Sequence, residues 1–253
     1  GEKGEYLNQI KRGLPKNVSC KFIKKKKSPT ILKRRFLDHV SNNKVLGVYK
    51  INDDALNKKQ DILVGKSLKK ILPKYDLVIV SDYGHGFISN KNAKIICRYS
   101  KYLALNAQIN AANVGYHSMR NYKNIDCVII NNREIHHEMR DRSTETELLM
   151  KRLSIQQNIK NLIVTKGSEG AVIYNKKNKK FNFCEAFADT VVDKIGTGDA
   201  MLSIISLCLK TKMNNELSLL LSSLAAAQSI ETIGNKETID KTKILKTIEH
   251  LLR

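Results

Sequence analysis

The pattern of hydrophobic and polar positions divides the chain into two parts. Up to about residue 52, short apolar stretches alternate with polar turns, a pattern that predicts β-structure. We predict strands over residues 18–23, 30–37 and 45–51, with Asn42-Asn43 as a hairpin turn. From about residue 53 onward, helical spacings alternate with continuous apolar runs.

The second part has the pattern of alternating helices and strands. Helical spacing is found over residues 61–72, 91–105, 144–157, 199–209, 216–230 and 241–252. Continuous apolar runs, typical of buried parallel strands, occupy residues 77–80, 127–130 and 162–164. Residues 171–174 and 181–187 alternate like an antiparallel pair. This order predicts an α/β fold with a doubly wound, mostly parallel sheet covered on both faces.

Composition sets the broad class. With 253 residues and 42% hydrophobic content, the chain can bury the core of one large α/β domain or of two small ones. No apolar run is long enough to predict a transmembrane helix, and the first residues lack the plan of a secretion signal. The five cysteines are scattered without a Cys-x-x-Cys pair, so we expect reduced thiols in a cytoplasmic protein rather than zinc or disulfides.

The net charge of +21 indicates an anionic partner: nucleic acid, an acidic membrane surface or a phosphorylated small molecule. Four lysines run together at residues 24–27, but lysine is abundant along the whole chain, and a solvated surface explains this run more simply. No zinc finger, RNP-like motif or basic stripe with interleaved aromatics accompanies it. Nucleic-acid binding is therefore a minority interpretation.

Polar strings follow the three predicted central strands, at residues 81–86, 131–134 and 165–170. In a parallel α/β sheet, ligands bind outside the carboxyl ends of the strands. Three polar strand ends in register therefore predict an edge of the sheet that binds phosphate and metal.

The most informative string, residues 192–201, opens a predicted helix and contains Gly196, Thr197 and Gly198. Glycines let backbone N–H groups converge on an anion, and the helix dipole adds to their effect. Asp199 follows directly and could take a proton from an attacking hydroxyl. The alternative is that Asp199 only caps the helix.

Residues 193–199, Asp-Lys-Ile-Gly-Thr-Gly-Asp, resemble the Asp-Thr-x-Gly-Ala-Gly-Asp signature of the ribokinase-like (PfkB) carbohydrate kinases. The resemblance implies that Asp199 is the catalytic base and that Gly196, Thr197 and Gly198 form the anion hole. It also implies ATP and Mg²⁺ as cofactors.

Other motifs extend this resemblance over residues 15–250. Asn131 and Glu134 match an Asn-x-x-Glu motif, which implies that Glu134 positions magnesium and Asn131 the nucleotide. The remaining cofactor positions implied are a Thr-x-Gly-x-x-Gly nucleotide turn and an adenine-side wall: Thr165, Gly167, Gly170, Ala226 and Gly234.

Within the family, the strongest likeness is to heptose 7-phosphate kinases. Residues 29–35 resemble the Thr-x-x-Lys-x-Arg strand of their lid, and residues 82–86 resemble their Asp-Tyr-x-x-Gly motif. The implied substrate contacts are Lys33, Arg35, Asp82 and His85. The likeness further implies a β-lid over about residues 17–52, a catalytic core over about 53–253, a sugar or sugar-phosphate substrate, no membrane partner, and a homodimer formed through the lid.

Two departures from the family keep an alternative open. A Gly-Gly-x-x-Asn segment that grips the sugar in the family has no counterpart in the sequence, so we expect the kinase domain to be incomplete at its N-terminal side. Asn106-Ala107-Gln108 stands where the family has Asp-Pro-Lys. The alternative is a catalytically silent module that binds nucleotide or sugar phosphate within a larger sugar-nucleotide biosynthesis protein.

Overall fold

The computed structural model describes residues 1–4, 6–39, 44–108, 117–188, 192–193, 195–231 and 237–251. The strands are β1 Leu32–Leu37, β2 Lys44–Lys50, β3 Val78–Asp82, β4 Leu103–Ala107, β5 Ile125–Asn131, β6 Ile159–Thr165, β7 Ala171–Asn175 and β8 Lys180–Cys184. The helices are α1 Leu7–Arg12, α2 Lys58–Ile71, α3 Asn90–Tyr99, α4 Asn132–Met139, α5 Thr146–Gln157, α6 Thr197–Lys210, α7 Asn215–Ile230 and α8 Lys241–Leu251.

The described strands form two sheets. A six-stranded sheet has the order β3-β4-β5-β6-β7-β8, in which β3 to β6 run parallel and β7 and β8 are antiparallel. A separate antiparallel pair, β1 and β2, forms a small sheet that we call the lid. The predicted α/β fold with a mostly parallel sheet is confirmed.

Helices cover both faces of the large sheet, because the central strands carry apolar side chains on both faces. Successive strand residues point to opposite faces, so Cys127 of β5 packs toward Met201 and Ile205 of α6. Its neighbour Val128 packs into the other half of the core, with Ile135 of α4 and residues of α3 and α5. Both faces of the central strands are therefore apolar, and this burial places α6 across the sheet with its first turn at the carboxyl ends of the strands.

Two local predictions were wrong. Residues 18–23 form no strand, and their large apolar side chains are at least a third exposed, because no described strand lies beside them to complete a ladder. The helix predicted over residues 91–105 ends at Tyr99, and β4 begins at Leu103. Leu103, Ala104 and Leu105 are buried on both faces of the sheet, and such an apolar run satisfies helical spacing equally well.

The hairpin turn predicted at Asn42-Asn43 lies outside the described residues. No helix in the described part of the chain combines the length and apolar character needed to span a bilayer.

Candidate active site

The carboxyl ends of the parallel strands lie along one edge of the large sheet. Ser81 near the end of β3 pairs in register with Asn106 of β4, and Asn131 at the end of β5 pairs with Thr165 at the end of β6. The first turn of α6 reaches the same place. We call the carboxyl ends of β3 to β6, together with the start of α6, the polar edge.

Asp199 of α6 is tied directly to the tip of β3. One carboxylate oxygen, Oδ2, accepts a 2.8 Å hydrogen bond from the Tyr83 hydroxyl, and the other, Oδ1, accepts a 3.1 Å bond from the Ser81 hydroxyl. Next to it, a Cβ atom added to Gly198 would lie 3.6 Å from Nδ2 of Asn106 on β4. The structure thus brings Asp199 and Gly198 to the tips of β3 and β4, half-buried rather than sealed in the core.

The start of α6 has the geometry of an anion site. Gly196 is the N-cap with φ +87° and no side-chain cap, a left-handed conformation that favours glycine. The amides of Thr197 and Gly198 follow in the first turn, where N–H groups have no intrahelical acceptor. Asp199 is the third helical residue, so the N-cap position belongs to Gly196 and not to Asp199.

The loop before α6 is fixed at its base. The amides of Val192 and Asp193 both donate to the carbonyl of Ile230 at the end of α7, at 2.9 and 3.1 Å. The Asp193 carboxylate accepts a 3.0 Å bond from the Ile195 amide. The conformation of the glycine turn therefore depends on contacts with α7 as well as on its own sequence.

Asn131 and Glu134 form a reciprocal capping box at the start of α4. The Asn131 side chain accepts from the Glu134 amide at 2.9 Å, and the Glu134 carboxylate accepts from the Asn131 amide at 2.9 Å. Asn-x-x-Glu before a helix is itself a capping signature, which the sequence analysis overlooked. Glu134 is buried, and its role toward magnesium stays a prediction.

The turn after β6 places its two glycines in different surroundings. The Lys166 amide donates to the Gly170 carbonyl at 2.8 Å, and the Gly170 amide donates to Gly167 at 3.1 Å. A Cβ on Gly170 would collide with the Cys184 carbonyl oxygen, whereas one on Gly167 would meet no atom within 4 Å. Gly170 is therefore required by packing, whereas Gly167 has open space where a side chain would begin.

The lid contributes Lys33 to this region. Its ammonium lies 5.5 Å from the centre of the Tyr83 ring, and partial burial lowers the pKa of Lys33 below its usual value, with neighbouring Arg35 acting in the same direction. Arg35 lies two residues along β1 on the same face and is exposed. Of the two predicted lid cations, Lys33 is the one that the structure places against a residue of the site.

Asp82 and His85 are turned into the protein. Asp82 accepts from the Gly84 amide at 3.0 Å and from the Tyr122 hydroxyl at 2.7 Å, and the His85 ring nitrogen Nδ1 lies 2.7 Å from Asp53. Both side chains are buried. These contacts shape the loop after β3, and the predicted substrate contacts of both residues remain predictions.

The remaining predicted cofactor positions are Ala226 and Gly234. Ala226 lies half-buried on α7 and packs against the core beneath α6 and α7. Gly234 lies outside the described residues.

Three site residues were given no role from the sequence: Ser81, Tyr83 and Asn106. The sequence carried a signal for the first two. In an extended chain, alternate side chains share a face, so polar residues at positions 81 and 83 were candidates for the side of the sheet that α6 covers. Asn106 was noted only as a departure from the family, because the strand that carries it to the site was not predicted.

Comparisons with known proteins agree with this geometry. The pfkB family carbohydrate kinase description matches residues 15–242. The bifunctional protein HldE of Campylobacter fetus is 27% identical over 190 residues, which cover 74% of this chain and 38% of HldE. That of Desulfatibacillum aliphaticivorans is 22% identical over 248 residues, which cover 96% of this chain and 49% of the relative. The chain thus spans about half the length, or less, of these curated relatives.

Solved structures show the same fold at low identity. A point mutant of phosphofructokinase-2 from Escherichia coli aligns with a TM-score of 0.74 at 14% identity, over 100% of this chain and 80% of that one. Arabidopsis thaliana ribokinase, complexed with ribose and ATP, gives 0.61 at 15% identity, over 81% and 65%. Since the matched description covers most of the chain and its strand ends and glycine turn meet at one edge, this chain belongs to the pfkB family of carbohydrate kinases.

Proposed function

We propose that this chain transfers the γ-phosphoryl group of ATP to a hydroxyl of a sugar or sugar phosphate. The observation that carries the proposal is the position of Asp199, in the first turn of α6 and within hydrogen-bonding distance of the tip of β3. A carboxylate beside a bound phosphate is unfavourable because like charges repel, unless it has a task, and accepting the proton of an attacking hydroxyl is such a task.

In the proposed reaction, the Asp199 carboxylate and the backbone amides at the start of α6 act together. Asp199 takes the proton of the acceptor hydroxyl, whose oxygen forms a bond to the γ-phosphorus while the bond to the β-phosphate oxygen breaks and ADP leaves. The amides of Gly196, Thr197 and Gly198 face the charge that spreads over the transferring group. General-base catalysis of this kind contributes typically about 10²–10⁴ in rate.

The residues present fit ATP and Mg²⁺. The open space beside Gly167 and the left-handed turn at Gly196 leave backbone exposed where phosphates and the nucleotide would lie. Mg²⁺ is usually held by one or two carboxylates plus substrate phosphates, and Glu134 in the first turn of α4 would supply a carboxylate through water. When bound, the ion supplies charge neutralisation for the phosphates.

A heptose-phosphate-like acceptor is the finer part of the proposal. It is supported by the likeness to HldE proteins and by Lys33, a cation on the lid that a substrate phosphate would pair with. The lid also exposes large apolar side chains, among them Val45 at 73% and Val48 at 51%, which supports the predicted homodimer through the lid. The cytoplasmic location remains a prediction.

The test compares the wild-type chain with Asp199→Asn. ADP release is measured over a panel of sugars and sugar phosphates that includes heptose 7-phosphate, and ATP-Mg²⁺ affinity is measured by isothermal titration. We expect wild-type turnover with at least one acceptor, and a loss of about two or more orders of magnitude in the variant with little change in nucleotide affinity. Unchanged turnover in Asp199→Asn would refute the base assignment.

The silent binding module is the second candidate, because Asn106 lies beside Gly198 where the family has an aspartate. Tight nucleotide or sugar-phosphate binding without ADP release over the whole panel would favour it. Steeply salt-dependent retention on DNA, with neither ADP release nor tight binding of nucleotide or sugar phosphate, would instead favour nucleic-acid binding.

A further inference from the structure

We propose that Tyr83 and Ser81 are positioning residues that hold the Asp199 carboxylate in its reactive orientation, a role that rests on the proposed function. The two hydroxyls come from the end of β3 and the residue after it, and each donates to a different oxygen of the same carboxylate. Two donors on two oxygens fix both the side-chain rotamer and the rotation of the carboxylate plane. We call this arrangement of Tyr83 and Ser81 the clamp.

The clamp leaves acceptor capacity on Asp199. An ionised carboxylate has about four lone-pair sites, and the Tyr83 and Ser81 hydroxyls use one on each oxygen. An incoming sugar hydroxyl can therefore donate to the carboxylate while the clamp stays in place. Held in this way, the base does not lose rotational freedom when the acceptor binds, which is how positioned groups lower a barrier.

The Tyr83 hydroxyl is suited to remain a donor. Burial first, and then the hydrogen bond and the negative charge of Asp199, raise the pKa of Tyr83 to about 12. At neutral pH the phenol therefore carries its proton and cannot repel the carboxylate. The Lys33 ammonium lies 5.5 Å from the centre of the ring and links the lid to Tyr83.

The loop that carries Tyr83 is held on both sides. The Gly84 amide donates to Asp82 at 3.0 Å, and the Gly86 carbonyl accepts from the Leu56 amide at 3.1 Å. A Cβ on Gly86 would collide with the Asp54 carbonyl oxygen, so the loop packs directly on the segment that follows the lid. The phenol position is thus set by the backbone of the loop, and not only by its bond to Asp199.

The surroundings of Asp199 in the described structure define the charges that act on it. From β3 and its loop come Ser81 and Tyr83, from β4 comes the neutral amide of Asn106, and from the lid comes the Lys33 ammonium near Tyr83. The described groups around this carboxylate are thus two hydroxyl donors and a neutral amide, with the lid cation over the Tyr83 ring.

Asp82 lies between the two donors in sequence, but its carboxylate is directed elsewhere. It accepts from the Gly84 amide and the Tyr122 hydroxyl, and its Oδ2 atom lies 3.9 Å from Nε2 of His117. Its charge is therefore engaged on the other side of the loop, and Tyr83 and Ser81 remain the donors that act on Asp199.

The kinetic test is Tyr83→Phe, which removes the hydroxyl and keeps the ring beside Lys33. We expect kcat to fall about tenfold or more, the acid limb of the kcat/KM profile to move to higher pH by roughly one unit, and the KM for ATP to stay unchanged. Ser81→Ala should act in the same direction with a smaller effect, because its bond is longer. Tyr75→Phe, which alters an exposed tyrosine before the opposite end of β3, is the matched control.

A second readout does not depend on turnover. With ¹³C-labelled tyrosine, the signal of Tyr83 is assigned by its absence in Tyr83→Phe and followed from neutral pH to about pH 12, where the wild-type phenol ionises. In Asp199→Asn the acceptor charge is gone, so Tyr83 should ionise at lower pH than in the wild type, while the other tyrosines titrate as before.

The two readouts separate the failure of this inference from the failure of the proposed function. A wild-type chain without turnover, in which Asp199→Asn still shifts the Tyr83 titration, would sink the kinase proposal and keep the clamp. An unshifted titration would overturn the clamp. So would a Tyr83→Phe enzyme with unchanged kcat and an unmoved acid limb.

Discussion

Asn131 and Glu134 hold each other at the start of α4, each accepting a 2.9 Å hydrogen bond from the backbone amide of the other. The pair that the family resemblance assigns to nucleotide and magnesium is therefore also the cap that begins a helix directly after β5. The motif thus stabilises the start of α4, and its predicted role toward the metal can be tested separately from this capping.

We expect two variants to separate the capping of α4 from the predicted role toward the metal. Asn131→Ala removes the N-cap and should lower the free energy of unfolding by about 0.5–2 kcal/mol. Glu134→Gln keeps an acceptor for the Asn131 amide but loses the charge, so it should unfold at nearly the wild-type denaturant concentration while needing several-fold more Mg²⁺ for half-maximal turnover. An unchanged Mg²⁺ requirement in Glu134→Gln would contradict the metal assignment.

Gly198→Ala should damage turnover without damaging the fold. The added Cβ would lie 3.6 Å from Asn106, an ordinary contact, and alanine is favourable in a helix. The methyl group would nevertheless stand where phosphate oxygens must approach the first turn of α6. We expect turnover to fall about 10²-fold or more, with an unfolding temperature equal to or above that of the wild type.

Ser203→Ala, one turn further along α6, is the control for this variant. Its hydroxyl bonds to carbonyls of its own helix, so its turnover should remain close to that of the wild type. Full activity in Gly198→Ala would show that no phosphate approaches this turn.

The two glycines after β6 should respond differently to alanine. Both have positive φ, which costs a non-glycine residue about 1–2 kcal/mol. At Gly167 this conformational cost is not increased by a collision, because the space around the added Cβ is open. For Gly167→Ala we therefore expect mainly a loss of ATP affinity. At Gly170 the Cβ also collides with the Cys184 backbone, so we expect a loss of roughly 2–5 kcal/mol in chemical denaturation. Equal destabilisation of both variants would contradict this description of the turn.

Lys33→Met should weaken acceptor binding when the acceptor carries a phosphate. Losing one charge-assisted hydrogen bond corresponds to roughly a 10- to 100-fold rise in the KM of the sugar phosphate, with the KM of ATP unaffected. Because the pKa of Lys33 is lowered, the ammonium loses its proton at lower pH than an exposed lysine does. Wild-type affinity for the sugar phosphate should therefore decline as the pH rises into the alkaline range.

Lys50→Met supplies the control for the lid. Lys33 pairs with Tyr49 across the hairpin, so the neighbouring Lys50 points to the other face of the same small sheet. Its removal changes the net charge equally but should leave both KM values unchanged. Equal effects of the two variants would indicate general charge attraction rather than a contact at the site.

The sequence alone was sufficient for the fold class and for the location of the candidate site. The apolar runs of β5 and β6 and the glycine string before α6 are local signals, and the carboxyl ends of parallel strands must meet at one edge of the sheet. The error at β4 has a local cause as well, since an apolar run buried on both faces carries no periodicity that separates strand from helix.

What only the tertiary structure decided is which side chains touch. Ser81 and Tyr83 precede Asp199 by more than a hundred residues, and no sequence spacing reports that their hydroxyls meet its carboxylate. Likewise, Asp82 and His85 carry polar groups that suit a substrate, yet burial against Tyr122 and Asp53 engages them inside the loop. Local patterns determine which side chains of a strand or helix share a face. The partner of each polar group depends instead on how distant segments pack.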